Sequence, residues 1–103
     1  MNLQESIRRI LREETKELNM ILRRIRINEL EEEFRYSLNY VSKLFKKNKT
    51  NRHQFKKMII TDLISNLQLR HRFPYYPEFS KFYVTLEKFF KNEIDSKFDS
   101  LTN

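Results

Sequence analysis

Apolar side chains recur along this chain with the spacing of helices, in four segments. In the first, residues 2–26, Ile7, Leu11, Leu18, Ile21 and Ile25 form a stripe that Ile10 and Leu22 widen and Glu14 interrupts. That pattern predicts an amphipathic helix with a break. Its other face interleaves Glu5, Arg8, Arg9, Glu13, Glu14, Lys16 and Glu17. Pairs such as Glu5 and Arg9, one turn apart, add a few tenths of a kcal/mol and mark a solvated surface. Ile25-Arg26-Ile27 also alternates as a strand would, but a lone strand has nothing to pair with, so residues 20–27 are expected as helix or extended connector.

The second segment is expected to start at Asn28 as N-cap, with Glu31 as its capping-box partner and Glu29, Glu32 and Glu33 in the first turn. Leu30, Phe34, Leu38, Val41 and Phe45 form its core stripe, and Lys43, Lys46 and Lys47 end it with the sign the helix macrodipole favours. Asn48-Lys49-Thr50-Asn51 is the turn, where Asn is expected to supply left-handed backbone. Asn51 then caps the third segment with Gln54 as reciprocal partner, and Phe55, Met58, Ile59, Leu63 and Leu67 face the core. Residues 70–77 contain two prolines and are expected to be extended. The fourth helix is expected from Pro77 to about Phe98 on Phe79, Phe82, Tyr83, Leu86, Phe90 and Ile94, with residues 99–103 frayed.

These elements predict an all-α fold, a small bundle of three to four amphipathic helices. It forms one domain over residues 1–103, with residues 1–27 as an N-terminal helix standing somewhat apart. The chain has no Gly and no Ala, so bulky side chains, including nine Phe and five Tyr, must fill the core. Wide helix spacing, aromatic packing and a tendency to self-associate are the expected consequences.

Composition narrows the chemistry. Without Gly there are no phosphate-cradling loops, dinucleotide fingerprints or nucleophile elbows, which need a residue lacking Cβ. Without Cys there are no disulfides, thiol catalysis or thiolate zinc sites. His53 and His71 lack a carboxylate at the spacing that would orient an imidazole or share a metal, so no metal and no cofactor are expected. Asp62 with Ser65 resembles half a triad, but helical spacing produces such pairs by chance, and the expectation is a non-enzymatic protein. Aliphatic runs reach only three residues, as at Met58-Ile59-Ile60, so neither a membrane span nor an export signal is expected, and the location is expected to be cytoplasmic.

Charge is the strongest functional signal. The formal net charge is +7. Residues 1–33 carry seven cations and eight anions, residues 34–57 eight cations and no anion, and residues 58–103 six of each. The excess therefore sits in Arg35, Lys43, Lys46, Lys47, Lys49, Arg52, Lys56 and Lys57. Arg52, His53, Lys56 and Lys57 begin the third helix, where each well-placed cation opposes the macrodipole at a cost of about 0.3–1 kcal/mol. No neighbour in sequence compensates. In an antiparallel hairpin, Lys43, Lys46, Lys47, Lys49, Arg52, Lys56 and Lys57 gather at one end beside the free N–H groups of a helix start, which suits a phosphate backbone or another polyanion. Lysine-rich turns also serve as plain solubilising surface; the absence of acids over the window favours a binding role.

Tyr36 and Tyr40, and Tyr75 and Tyr76 between the prolines, form pairs able to stack on bases or on a partner protein. No RNA-recognition, zinc-finger or basic-zipper signature is present, so nucleic-acid binding is expected without strong sequence specificity. Alternatives are a structural or assembly subunit acting through protein–protein contacts, with a homo-oligomer or a virion protein as partner, and peripheral association with anionic lipid.

The opening Met1-Asn2-Leu3-Gln4-Glu5-Ser6-Ile7-Arg8-Arg9-Ile10-Leu11-Arg12-Glu13-Glu14 resembles the amphipathic leaders of small tailed-phage proteins. In T4-like phages such leaders are capsid-targeting segments clipped after Leu or Ile, any residue, then Glu, a spacing that Leu11-Arg12-Glu13 matches. The resemblance implies a phage or virion origin, with a location in host cytoplasm or virion, and assigns no activity.

Overall fold

In the computed structural model, which describes residues 2–13, 24–72 and 79–103, all regular structure among those residues is helical. The elements are α1 (Leu3–Glu13), α2 (Ile27–Lys47), α3 (Arg52–Leu67), α4 (Leu69–Arg72) and α5 (Phe79–Thr102). Helices α2 and α3 form an antiparallel hairpin, because Ser37 meets Asn66 at one end and Phe45 meets Phe55 at the other. Helix α5 runs alongside α2 in the same direction, with Phe34 against Phe90 and Phe45 against Phe98. It is therefore antiparallel to α3, and α1 packs on it, with Ile7 in the common core.

The core is aromatic. Phe34 and Phe90 stack with centroids 3.9 Å apart and planes 7° from parallel, and Phe45, Phe55 and Phe98 meet in a cluster near the α2–α3 turn. Ile7, Ile25, Leu30, Phe34, Leu38, Val41, Phe45, Phe55, Ile59, Leu63, Leu67, Phe82, Leu86, Phe90 and Ile94 are buried as their spacing predicts, while Met58 and Tyr83 are only partly buried. Ile60, Leu69 and Phe89 join them from positions beside the predicted stripes. Where Ala or Gly is usual at close helix contacts, this chain buries Ser37, Ser42 and Thr85. Two of these hydroxyls are satisfied within the bundle: Ser42 Oγ donates to the Leu38 carbonyl at 2.6 Å, and Ser37 Oγ accepts from Asn66 Nδ2 at 3.1 Å.

Several local expectations are corrected. Helix α2 begins one residue before Asn28, after Arg26, which makes no side-chain cap bond. Asn28 Oδ1 instead accepts from Gln4 Nε2 at 2.9 Å, tying α2 to α1, and a long-range bond has replaced the local cap. Asn48 and Asn51 of the turn are extended, and the left-handed residue among those described is Gln68, at φ 54° and ψ 43°. That conformation closes α3 and lets the chain add the single turn α4, where residues 70–72 were expected to be extended; Leu69 is fully buried there. The tail from Asp99 continues as helix to Thr102, because Phe98 and Leu101 pack on the core and Thr102 Oγ1 donates back to the Phe98 carbonyl. Asn51 caps α3 as expected, Oδ1 accepting the Gln54 N–H at 2.8 Å. The expected core positions Leu18 and Ile21, and Pro77 as first helical residue, lie outside the described residues.

Candidate functional site

The cationic start of α3 is compensated across the bundle. Since α3 and α5 are antiparallel, the N-terminus of one lies beside the C-terminus of the other. Arg52 pairs with Asp95 at 3.2 Å and with Asp99, and its guanidinium sits 4.9 Å from the centroid of the Phe98 ring. Lys56 Nζ lies 2.8 Å from Glu87 Oε1. Cations at a helix start and anions toward a helix end are each disfavoured by their own macrodipole; here Arg52 and the pair Asp95 and Asp99 satisfy one another, while Glu87, in the first half of α5, takes Lys56. On the other flank of α5, Glu93 takes Arg35 at 3.0 Å. Three of the eight cations in the window are therefore neutralised from within the fold.

These contacts leave a titration signature. The hydrogen bond it donates to Glu87 raises the Lys56 ammonium above its ordinary 10.5, against the opposing effect of burial. Burial and then Glu87 raise the Tyr83 hydroxyl above 10.0. Both groups hold protons more tightly in the folded chain, so their stabilisation is present below pH 10.0 and is lost as pH rises through the raised values. Denaturant midpoints should hold steady between about pH 7 and 9 with respect to these groups and fall above about pH 10; a midpoint unchanged to about pH 11.5 would contradict the placement of both side chains.

The remaining members of the window are Lys43, Lys46, Lys47, Lys49 and Lys57. All are exposed, and none has a carboxylate partner among the described residues. They surround the α2–α3 turn, as the hairpin predicts, but not on a single face. Lys43 and Lys47 lie one turn apart on the flank of α2 that also carries Tyr36 and Tyr40; Lys46, three turns on from Arg35, lies on the flank toward α5. Between α2 and α3 runs an open groove of about 490 Å³, floored by Val41, Leu44 and Met58, with Tyr40 on one rim and Lys57 on the other. Of the seven cations expected to form a binding site, five remain available and two, Arg52 and Lys56, serve the α3–α5 contact.

Tyr75 and Tyr76, the other expected stacking pair, lie outside the described residues. Asp62 accepts from Asn66 Nδ2 at 3.2 Å, and Ser65 shares a smaller hollow with His71, without a side-chain hydrogen bond joining them among the described residues. No group of three or more His, Asp or Glu able to hold a metal occurs among the described residues, and no helix among them is long and apolar enough to cross a membrane. No protein-family model matches the chain, and no similar protein was found among curated sequences or solved structures.

What sequence reading missed is the role of Glu87, Glu93, Asp95 and Asp99. One signal for it was present. Asp95 and Asp99, one turn apart near the end of the fourth segment, break the same macrodipole rule that Arg52 and Lys56 break at the start of the third. Two opposite violations at ends that antiparallel packing brings together are a contact prediction.

Proposed function

We propose that this protein is a non-enzymatic helical module that binds a polyanion, nucleic acid foremost, through the lysines around the α2–α3 turn and without reading base sequence. The carrying observation is the division of the basic window: three cations are consumed by α5 carboxylates, and five exposed lysines around one turn have no carboxylate partner among the described residues. Cations that the fold uses need no ligand to explain them. Unpaired ones grouped at one end attract phosphates, and the release of condensed counterions supplies the affinity. Because lysine is a flexible point charge, such contacts position a backbone and carry no sequence information.

A salt titration of duplex DNA binding tests this. If all five lysines meet phosphates, log K should fall against log salt with a slope approaching about −4.5, at about 0.9 per contact. An absence of binding to duplex and single-stranded DNA at about 20 mM salt, where this electrostatic contribution is large, would reject it.

A second reading, a subunit that acts through protein contacts, is favoured by the groove between α2 and α3, where Leu44 and Met58 stay partly exposed above the buried Val41. The likeness of the N-terminal helix to capsid-targeting leaders belongs with that reading, and with it a virion partner. The mass of the protein in solution addresses it: a strict monomer that captures no acidic partner counts against it.

A further inference from the structure

Tyr36 and Tyr40 do not fit the packing economy of this bundle. Every other aromatic side chain whose burial is described is buried or partly buried, yet these two are 65% and 48% exposed, and neither ring meets another among the described residues. In mid-helix they contribute neither a cap nor core area, and tyrosine is a poorer helix former than the Glu, Lys or Arg usual at such sites. Their face continues without interruption into Lys43 and Lys47, since positions 36, 40, 43 and 47 lie in one row. Lys57 borders the groove on its far side.

We propose that this outer face of α2 is a track for single-stranded nucleic acid, with bases stacked on Tyr36 and Tyr40 and phosphates held by Lys43, Lys47 and Lys57. Resting on the polyanion binding proposed above, this narrows the ligand from any polyanion to one whose bases are exposed. A duplex hides its base faces, whereas an unpaired strand offers them to aromatic rings, and such stacking is tolerant of sequence.

Charge along α2 sets the limits of the track. Its first turns carry Glu32 and Glu33, which repel phosphate, so the strand runs from the tyrosines toward the turn. Eleven residues separate Tyr36 from Lys47, about 16 Å of helix, which about five nucleotides cover at 3.4 Å each. Asp62, the acid lining the groove, is held by Asn66, the residue that meets Ser37 across the hairpin. It therefore lies level with the tyrosines and not with the lysines. A carboxylate there disfavours a phosphate but accepts from a base amino group.

A second copy laid antiparallel on the same row would set Glu33 against Lys43 and Tyr36 against Tyr40. Exposed ion pairs of that kind contribute little, and Glu29 is already bound by Arg72 at 2.6 Å.

The test uses fluorescence anisotropy with three probes: labelled oligo(dT) of about 12 nucleotides, a duplex of equal length, and inorganic polyphosphate, which has charge but no bases. The Tyr36→Ala, Tyr40→Ala double variant should bind oligo(dT) about a hundredfold more weakly, about tenfold per ring, with an unchanged salt slope. Duplex and polyphosphate should be within about twofold of wild type, and the Tyr36→Phe, Tyr40→Phe double variant should stay near wild type on all three, because it keeps both stacking faces. Equal losses on the three probes, or none on oligo(dT), would overturn the track while leaving polyanion binding intact. A change from dimer to monomer mass in the alanine variant with oligo(dT) binding unaltered would overturn it in favour of a contact between copies. Absence of binding to any probe by the wild type would remove the polyanion reading itself.

Discussion

Phe90→Ala lowers folding stability by about 3–5 kcal/mol, a large part of the 5–15 kcal/mol that holds a domain of this size together. Phe90 is fully buried, stacks on Phe34 at 3.9 Å and meets Phe89 edge-on at 6.1 Å, so its ring fastens α5 to α2 at mid-bundle. Truncation removes the transfer free energy of the ring and leaves a cavity bounded by other bulky, fully buried side chains. In equilibrium denaturation the midpoint should fall sharply with little change in slope, and Phe90→Leu, which keeps more of the volume, should lose much less. The contrast is Tyr36→Ala, on the exposed face of α2, which should change stability by no more than about 0.5 kcal/mol. A loss below about 1 kcal/mol for Phe90→Ala would mean that α5 does not pack on α2 as described.

The second large effect is on binding. Replacing Lys43, Lys46, Lys47, Lys49 and Lys57 by Gln removes five charges from a net +7 and leaves +2. At about 0.1 M salt a slope of 0.9 per contact is worth about eightfold in affinity, so three or four phosphate contacts correspond to a loss of about a thousandfold. The fold should survive, because none of the five has an ion-pair partner among the described residues and Gln is nearly as good a helix former as Lys. A small stability loss is expected from Lys46 and Lys47, which complement the C-terminal dipole of α2. Circular dichroism and a filter or anisotropy assay on the same preparation separate loss of fold from loss of binding.

The long elements were legible because periodicity is a local property that packing did not overrule. The stripe Leu30, Phe34, Leu38, Val41 and Phe45 is buried in full, and so are Phe55, Ile59, Leu63 and Leu67. Features that depended on distant partners were not legible. Asn28 has the sequence of a cap yet bonds Gln4, because α1 folds back to meet it. Gln68 takes the left-handed conformation expected of an Asn in the earlier turn, since that is where α3 must end to bury Leu69. Asp99 lies in a helix and not a frayed tail because Phe98 and Leu101 pack on the core around it, with Arg52, 47 positions earlier, bonded to its carboxylate.

The same divide runs through the candidate site. That the cations of residues 34–57 would meet around one turn followed from two antiparallel helices. Which of them would be left available did not, since that depended on the carboxylates of α5. Along the sequence Arg52 and Lys56 differ from Lys46 and Lys47 only in opposing the dipole of their helix; the register of α3 against α5 is what turns that difference into a structural cation against an unpaired one.

That separation is tested most directly by the salt dependence of duplex binding by the Arg52→Gln, Lys56→Gln double variant. The ion pairs of Arg52 with Asp95 and Asp99 and of Lys56 with Glu87 should be missed in stability, with a lower denaturation midpoint, while the log–log slope stays at the wild-type value. A slope shallower by about 1.8, the equivalent of two lost phosphate contacts, with the denaturation midpoint unmoved, would show that these two residues face the ligand and not α5.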